Sequence, residues 1–159
     1  MFYHLPTENT LTAEQVGGMF GFNPEPSSDE TLGSYNLFRI QESEPPHDLF
    51  SRFLPEVELK NNVAVQCWKQ EWLELEEAKL IAKLKSQVIF DEYMEEIRNN
   101  NYLSITTFNL LLSNNSPYFS EVRNQVSSAL EKLSDFLDAV NQTSETSEVK
   151  RLFEELTFR

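Results

Sequence analysis

Few residues in this chain could do chemistry. Cys67 is the only cysteine, and His4 and His47 are the only histidines. A structural zinc site wants four Cys or His ligands, so none can be built here. The helical carboxylates Asp91, Glu92, Glu95 and Glu96 lack the Glu-x-x-His pairs that a di-iron bundle uses. No metal and no cofactor is therefore expected. A nucleophilic Cys67 would need a neighbouring base. It alternates instead with Val63 and Val65 on one strand face, the position of a buried small hydrophobe. Gly17-Gly18 and Gly21 follow no strand and lack the spacing of a phosphate-binding loop. No Gly-x-Ser-x-Gly elbow is present. Glu76-Glu77 and Glu154-Glu155 are helical neighbours that point apart and read as solvated faces. No catalytic residue emerges, and the chain is not expected to be an enzyme.

Charge narrows the partners. Of 159 residues, 26 are acidic and 13 basic, a net charge of −13. A nucleic-acid backbone or an anionic membrane would repel such a surface. Mimicry of DNA is the sharper reading of this acidity, but the acids fall on ordinary helical surfaces rather than in one dense block, which points to solubility. With 40% hydrophobic and 12% aromatic residues, a packed core is expected. One cysteine allows no intrachain disulfide. Residues Met1 to Pro6 have no basic region leading into an apolar run, and no window approaches the roughly 20 apolar residues of a membrane span.

The elements that would carry any site follow from periodicity. Thr12 and Gln15 form the pattern of a capping box, and Val16, Met19 and Phe20 give the apolar side of a short helix that Gly21 should end. Asn23 to Gly33, with two prolines and paired serines, reads as a loop. Tyr35 to Ile40 reads as a strand stopped by Pro45-Pro46, and Leu49 to Leu59 is ambiguous because of Pro55. Val63 to Trp72 is the clearest strand, expected to pair antiparallel with the first. From Leu73 to Asn99 the period turns helical through Glu77, Leu80, Ile81, Leu84, Val88, Tyr93 and Ile97, a helix about 40 Å long. Ser104 caps a short helix to Ser113, and Ser116-Pro117 opens another. Its apolar face runs through Phe119, Val122, Val126, Ala129, Leu130, Leu133, Phe136, Leu137 and Val140, and Val149, Leu152, Phe153 and Leu156 mark a last helix. The expected class is α+β: an N-terminal antiparallel β module (1–72), a long connecting helix (73–100) and a C-terminal helical bundle (101–159).

Two groups of residues are candidates for an interface. Trp68 and Trp72 share a strand face; they pack the sheet on the following helix or meet a partner subunit, where tryptophan is enriched. The Leu80, Ile81, Leu84 and Val88 stripe packs on the C-terminal bundle or on copies of itself.

The order Leu11-Thr12-Ala13-Glu14, Gly33-Ser34-Tyr35, Glu44-Pro45-Pro46-His47-Asp48, Val65-Gln66-Cys67-Trp68 and Leu73-Glu74-Leu75-Glu76-Glu77-Ala78 resembles small tail proteins of tailed bacteriophages. The resemblance covers residues 10 to 85. Where that group continues its Pro-Pro element with Asp-Pro, this chain has Asp48-Leu49. The resemblance implies a non-enzymatic role in the virion tail, at the fibre or baseplate, in a protein made in the host cytoplasm. The implied partners are itself, as a dimer or trimer, and other tail proteins, with neither nucleic acid nor membrane. A fibre-assembly chaperone and a small acidic inhibitor of a host factor are the alternatives.

Overall fold

A computed structural model describes residues 1–61, 63–113 and 119–158. Strands β1 (Phe2–His4), β2 (Asn9–Leu11), β3 (Leu37–Gln41), β4 (Ser51–Lys60) and β5 (Val63–Trp72) form one sheet in the order β2-β1-β3-β5-β4. Helices α1 (Ala13–Phe20) and α2 (Asp29–Ser34) accompany them. The rest is helical: α3 (Leu75–Asn100), α4 (Ile105–Ser113), α5 (Ser120–Gln142) and α6 (Thr146–Glu155). This is the expected α+β class. The chain divides into two compact units, Met1–Glu71 and Trp72–Arg159.

In the first unit, local signals hold. Thr12 caps α1 through its side chain, and Gln15 returns the bond to the Thr12 amide at 2.8 Å. Gly21 ends the helix at φ 74°, a left-handed conformation that glycine adopts without the Cβ penalty. The core joins Phe2 and Leu11 from β1 and β2, Val16 of α1, Leu32 of α2 and Leu37 of β3. Arg39 closes the loop before α2. Its guanidinium donates to the carbonyls of Pro24, Glu25 and Ser27 at 2.7–3.2 Å and to Asp29 at 3.3 Å.

Two expectations need correction here, and one ambiguous stretch is resolved. The residues read as a plain loop from Asn23 to Gly33 include the start of α2, which Ser28 caps by accepting from the Thr31 amide. Most of the ambiguous Leu49–Leu59 stretch lies in the ten-residue strand β4, which starts at Ser51 and ends at Lys60. Its Pro55 is tolerated because β4 lies at the sheet edge, where a missing N–H costs no ladder bond. Finally, β3 and β5 pair parallel, with Ile40 opposite Ala64 and Gln41 opposite Val65, rather than as a hairpin. The chain leaves β3, runs out to β4, and returns as β5 between the two. That insertion reverses the expected direction. The link from β4 to β5 begins at Asn61, which takes φ 51°.

In the second unit, α3 packs on α5 and α6, and α5 packs on α6. Phe90, Ala129, Leu133 and Phe158 make one core cluster; Ile97, Phe108, Val122 and Val126 make another. Ser104 caps α4 by accepting from the Thr107 amide at 3.1 Å. The expected cap at Ser116-Pro117 lies outside the described residues.

Candidate interaction surface

The side chains with chemical potential are occupied structurally. His4 is buried in β1, with Nδ1 2.8 Å from Thr7 Oγ1 and its ring edge-on to Phe20. His47 is exposed. Cys67 does not sit in the core as its strand position suggested. Val63 is exposed, Val65 and Cys67 are half-buried, and the buried residue of β5 is Ala64, on the opposite face. Past Ala64 the burial of β5 does not alternate: Val65, Gln66, Cys67 and Trp68 are all half-buried, and the strand is exposed from Lys69 onward. The Cys67 thiol lies 3.6 Å from the Glu56 carbonyl. Partial burial and then the charges of Glu58 and Glu56 push its pKa up, which keeps it protonated and a poor nucleophile. Glu58 itself is held below its usual range by Lys60, its partner at 2.7 Å.

The carboxylates pair as helical surface residues do. Arg151 donates to Glu155 at 3.0 and 3.1 Å, and Arg98 donates to Glu95 at 2.8 Å. Among the described residues no group of three or more His, Cys, Asp or Glu side chains could hold a metal ion. No helix among them is long and apolar enough to cross a membrane.

What the structure does offer is an unpaired apolar face on α3. The helix buries Ala78, Lys79, Ala82, Ser86, Phe90 and Ile97. Leu80, Leu84 and Val88 therefore point to water, Leu84 with 60% of its surface exposed, and Ile81 is half-buried beside them. Residues four apart stack on one face of a helix, so the three exposed side chains form a continuous row. Helical spacing places Glu77 at one end of that row and Asp91 and Glu95 at the other. Small residues explain the inward choice. Ala78, Ala82 and Ser86 let the neighbouring helices approach closely, and no leucine row could do so in the same space.

One charge is drawn into the interior. Lys79 is buried and donates from Nζ to the Asn141 carbonyl at 3.3 Å, with Glu76 at 3.7 Å. The carbonyl lies in the last turn of α5, where the helix dipole favours a cation. A leucine-only reading of α3 had no way to find Lys79; its i+3 and i+7 relation to Ala82 and Ser86 was the available signal.

The tryptophans separate. Trp68 belongs to the first unit, half-buried, its Nε1 donating to Ser43 Oγ at 3.0 Å. Ser43 in turn donates to the Gln66 carbonyl. Trp72 belongs to the second unit; it is exposed, and Lys150 Nζ stands 5.7 Å from its ring centre. Leu73 follows it into the helical unit, its carbonyl accepting from Thr146 Oγ1 at 2.9 Å.

No family model, no curated protein and no solved structure matches this chain.

Proposed function

We propose that the chain is a non-enzymatic structural component of a bacteriophage tail, associated with the fibre or baseplate, that acts through protein–protein assembly. The motif order between residues 10 and 85 supports the class of particle. The observation that carries the mode of action is the exposed Leu80-Leu84-Val88 row on a 26-residue helix. Three large aliphatic side chains in one row cost solvation free energy in a lone chain, at about 25 cal/mol per Å² of apolar surface left wet. Burying that row against a second copy removes the cost, and α3 is the self-association element in this reading. Trp72, exposed at the start of the helical unit, is the candidate contact to a neighbouring tail protein.

Quantitative mass spectrometry of purified virions tests the proposal. A copy number in fixed, small-integer ratio to the tail proteins is the expected result. Absence from particles combined with presence in the infected lysate would overturn it in favour of an assembly factor.

A further inference from the structure

Strand β3 carries an unfilled edge within the first unit. Beside it lies a cavity of about 550 Å³, lined by Asp29, Glu30 and Gly33 of α2, by Leu37–Arg39 of β3 and by Val63 at the start of β5. Positions 29, 30 and 33 share one side of α2, so that side forms a wall of the cavity. Leu32, on another side of the helix, is buried in the core.

The ladder between β1 and β3 sets where the backbone of β3 points. The Leu5 amide donates to the Asn36 carbonyl at 3.1 Å, and the Ile40 amide donates to the Met1 carbonyl at 3.2 Å. Bonded pairs alternate in an antiparallel ladder, so Phe38 bonds to Tyr3, and Leu37 and Arg39 turn their main-chain groups away from β1. That is the side on which β5 adds. Among the described residues, however, β5 meets β3 only at Ile40 and Gln41. Counting back from the Ile40–Ala64 pair sets Leu37 level with Asn61, ahead of β5. The Leu37 N–H and C=O thus face the cavity with no described strand beside them, and such an edge is a template for another strand. Gly33 keeps the approach clear. A Cβ there would meet nothing within 4 Å, and its φ is not left-handed, so neither packing nor backbone geometry calls for glycine. Glycine inside a helix costs about 1 kcal/mol against alanine. What it provides here is room for an incoming backbone.

We propose that this cleft binds an extended segment of another protein, bearing a lysine or arginine, which adds as a short strand along Leu37–Arg39. The free main-chain groups select a strand, because an extended backbone is the ligand that offers matching donors and acceptors in a row. Charge selects the side chain. Glu30 has no hydrogen-bond or ion-pair partner among the described residues. Arg39, the cation in the wall, is already engaged by the Pro24, Glu25 and Ser27 carbonyls and by Asp29. Residues 1–38 hold five acids and no lysine or arginine. A basic side chain is drawn into that field and an acidic one is turned away. The same field disfavours a second copy, whose own net charge is −13. Leu37, Phe38 and Val63 give the segment apolar contact beside the charge. Three strand residues span about 10 Å, so the contact is short and exchange is fast.

Amide chemical shifts of the isotope-labelled full chain test this during titration with a blocked peptide of alternating valine and lysine. Saturable shifts are expected at the amides of Gly33 and Leu37–Arg39. A valine–glutamate peptide should bind at least about tenfold more weakly, and so should the lysine peptide with a methylated backbone, which lacks the donors of a strand. Gly33→Leu fills the open space without a clash. Its melting temperature should hold or rise, while affinity for the lysine peptide falls at least about tenfold. Glu30→Gln should weaken the lysine peptide and leave the valine–glutamate peptide no weaker. Absence of saturable shifts at those amides would overturn the proposal. Equal binding of the methylated peptide, or unchanged affinity in Gly33→Leu, would do the same. The same shifts on concentrating the chain alone would place a second copy in the cleft and overturn the assignment to a basic partner.

Discussion

Helices α3 and α5 are similar in length and lie against one another, yet they treat their apolar residues in opposite ways. Helix α5 buries most of its expected face: Val122, Val126, Ala129, Leu133, Phe136 and Val140 all point inward. Helix α3 turns its largest aliphatic row outward and packs through Ala78, Ala82 and Ser86. The difference teaches that a helix between two neighbours is chosen for the face that lets them come close, and not for the face with the most hydrocarbon. What remains outside is then surplus apolar surface, available for assembly.

The comparison breaks most visibly under truncation. Phe136→Ala should cost about 3–5 kcal/mol of stability, because it empties a filled position in α5. Leu84→Ala should stay within about 0.5 kcal/mol, because its side chain contributes little to the fold. Urea denaturation of the two variants at low protein concentration checks both. Equal losses would mean that the α3 row is core after all.

A smaller effect sharpens the inward face. Lys79→Ala should cost about 1–3 kcal/mol, since it leaves the Asn141 carbonyl without its cation at the end of α5. Thermal unfolding at fixed concentration measures it. The row on the opposite side of the same helix should tolerate comparable polar changes with no shift in melting temperature.

The smallest expected effect is kinetic and lies in the first unit. The Cys67 pKa is raised, so at any pH near neutrality less thiolate is present than in a free cysteine. Alkylation by iodoacetamide should therefore be slower than for a free thiol and should accelerate only at higher pH. Rapid alkylation at pH 7 would contradict the assigned surroundings of Glu56 and Glu58.

Local chemistry was legible in the sequence. The Thr12–Gln15 box, the stop at Gly21 and the Ser104 cap each rest on a few adjacent residues, and all are present, while α3, expected from Leu73 to Asn99, runs from Leu75 to Asn100. Direction and facing were not legible. Whether β3 meets β5 parallel depends on β4 being inserted at the edge, a long-range fact that strand spacing does not encode. Which side of α3 faces inward depends on the room between α5 and α6. The signal for it was present in the i, i+4, i+8 run of Ala78, Ala82 and Ser86, but the larger leucine stripe outweighed it. The short strands β1 and β2 were hidden because three residues are too few to show a period. Nothing near Tyr102 announced its left-handed φ of 54°.

Sedimentation equilibrium of the wild-type chain beside Leu84→Asp addresses the central claim, that the outer face of α3 holds copies together. The account predicts a wild-type mass that rises with concentration above that of one chain, and a clearly lower mass for the folded variant at each matched concentration. A folded Leu84→Asp chain with the same mass profile as the wild type would contradict it.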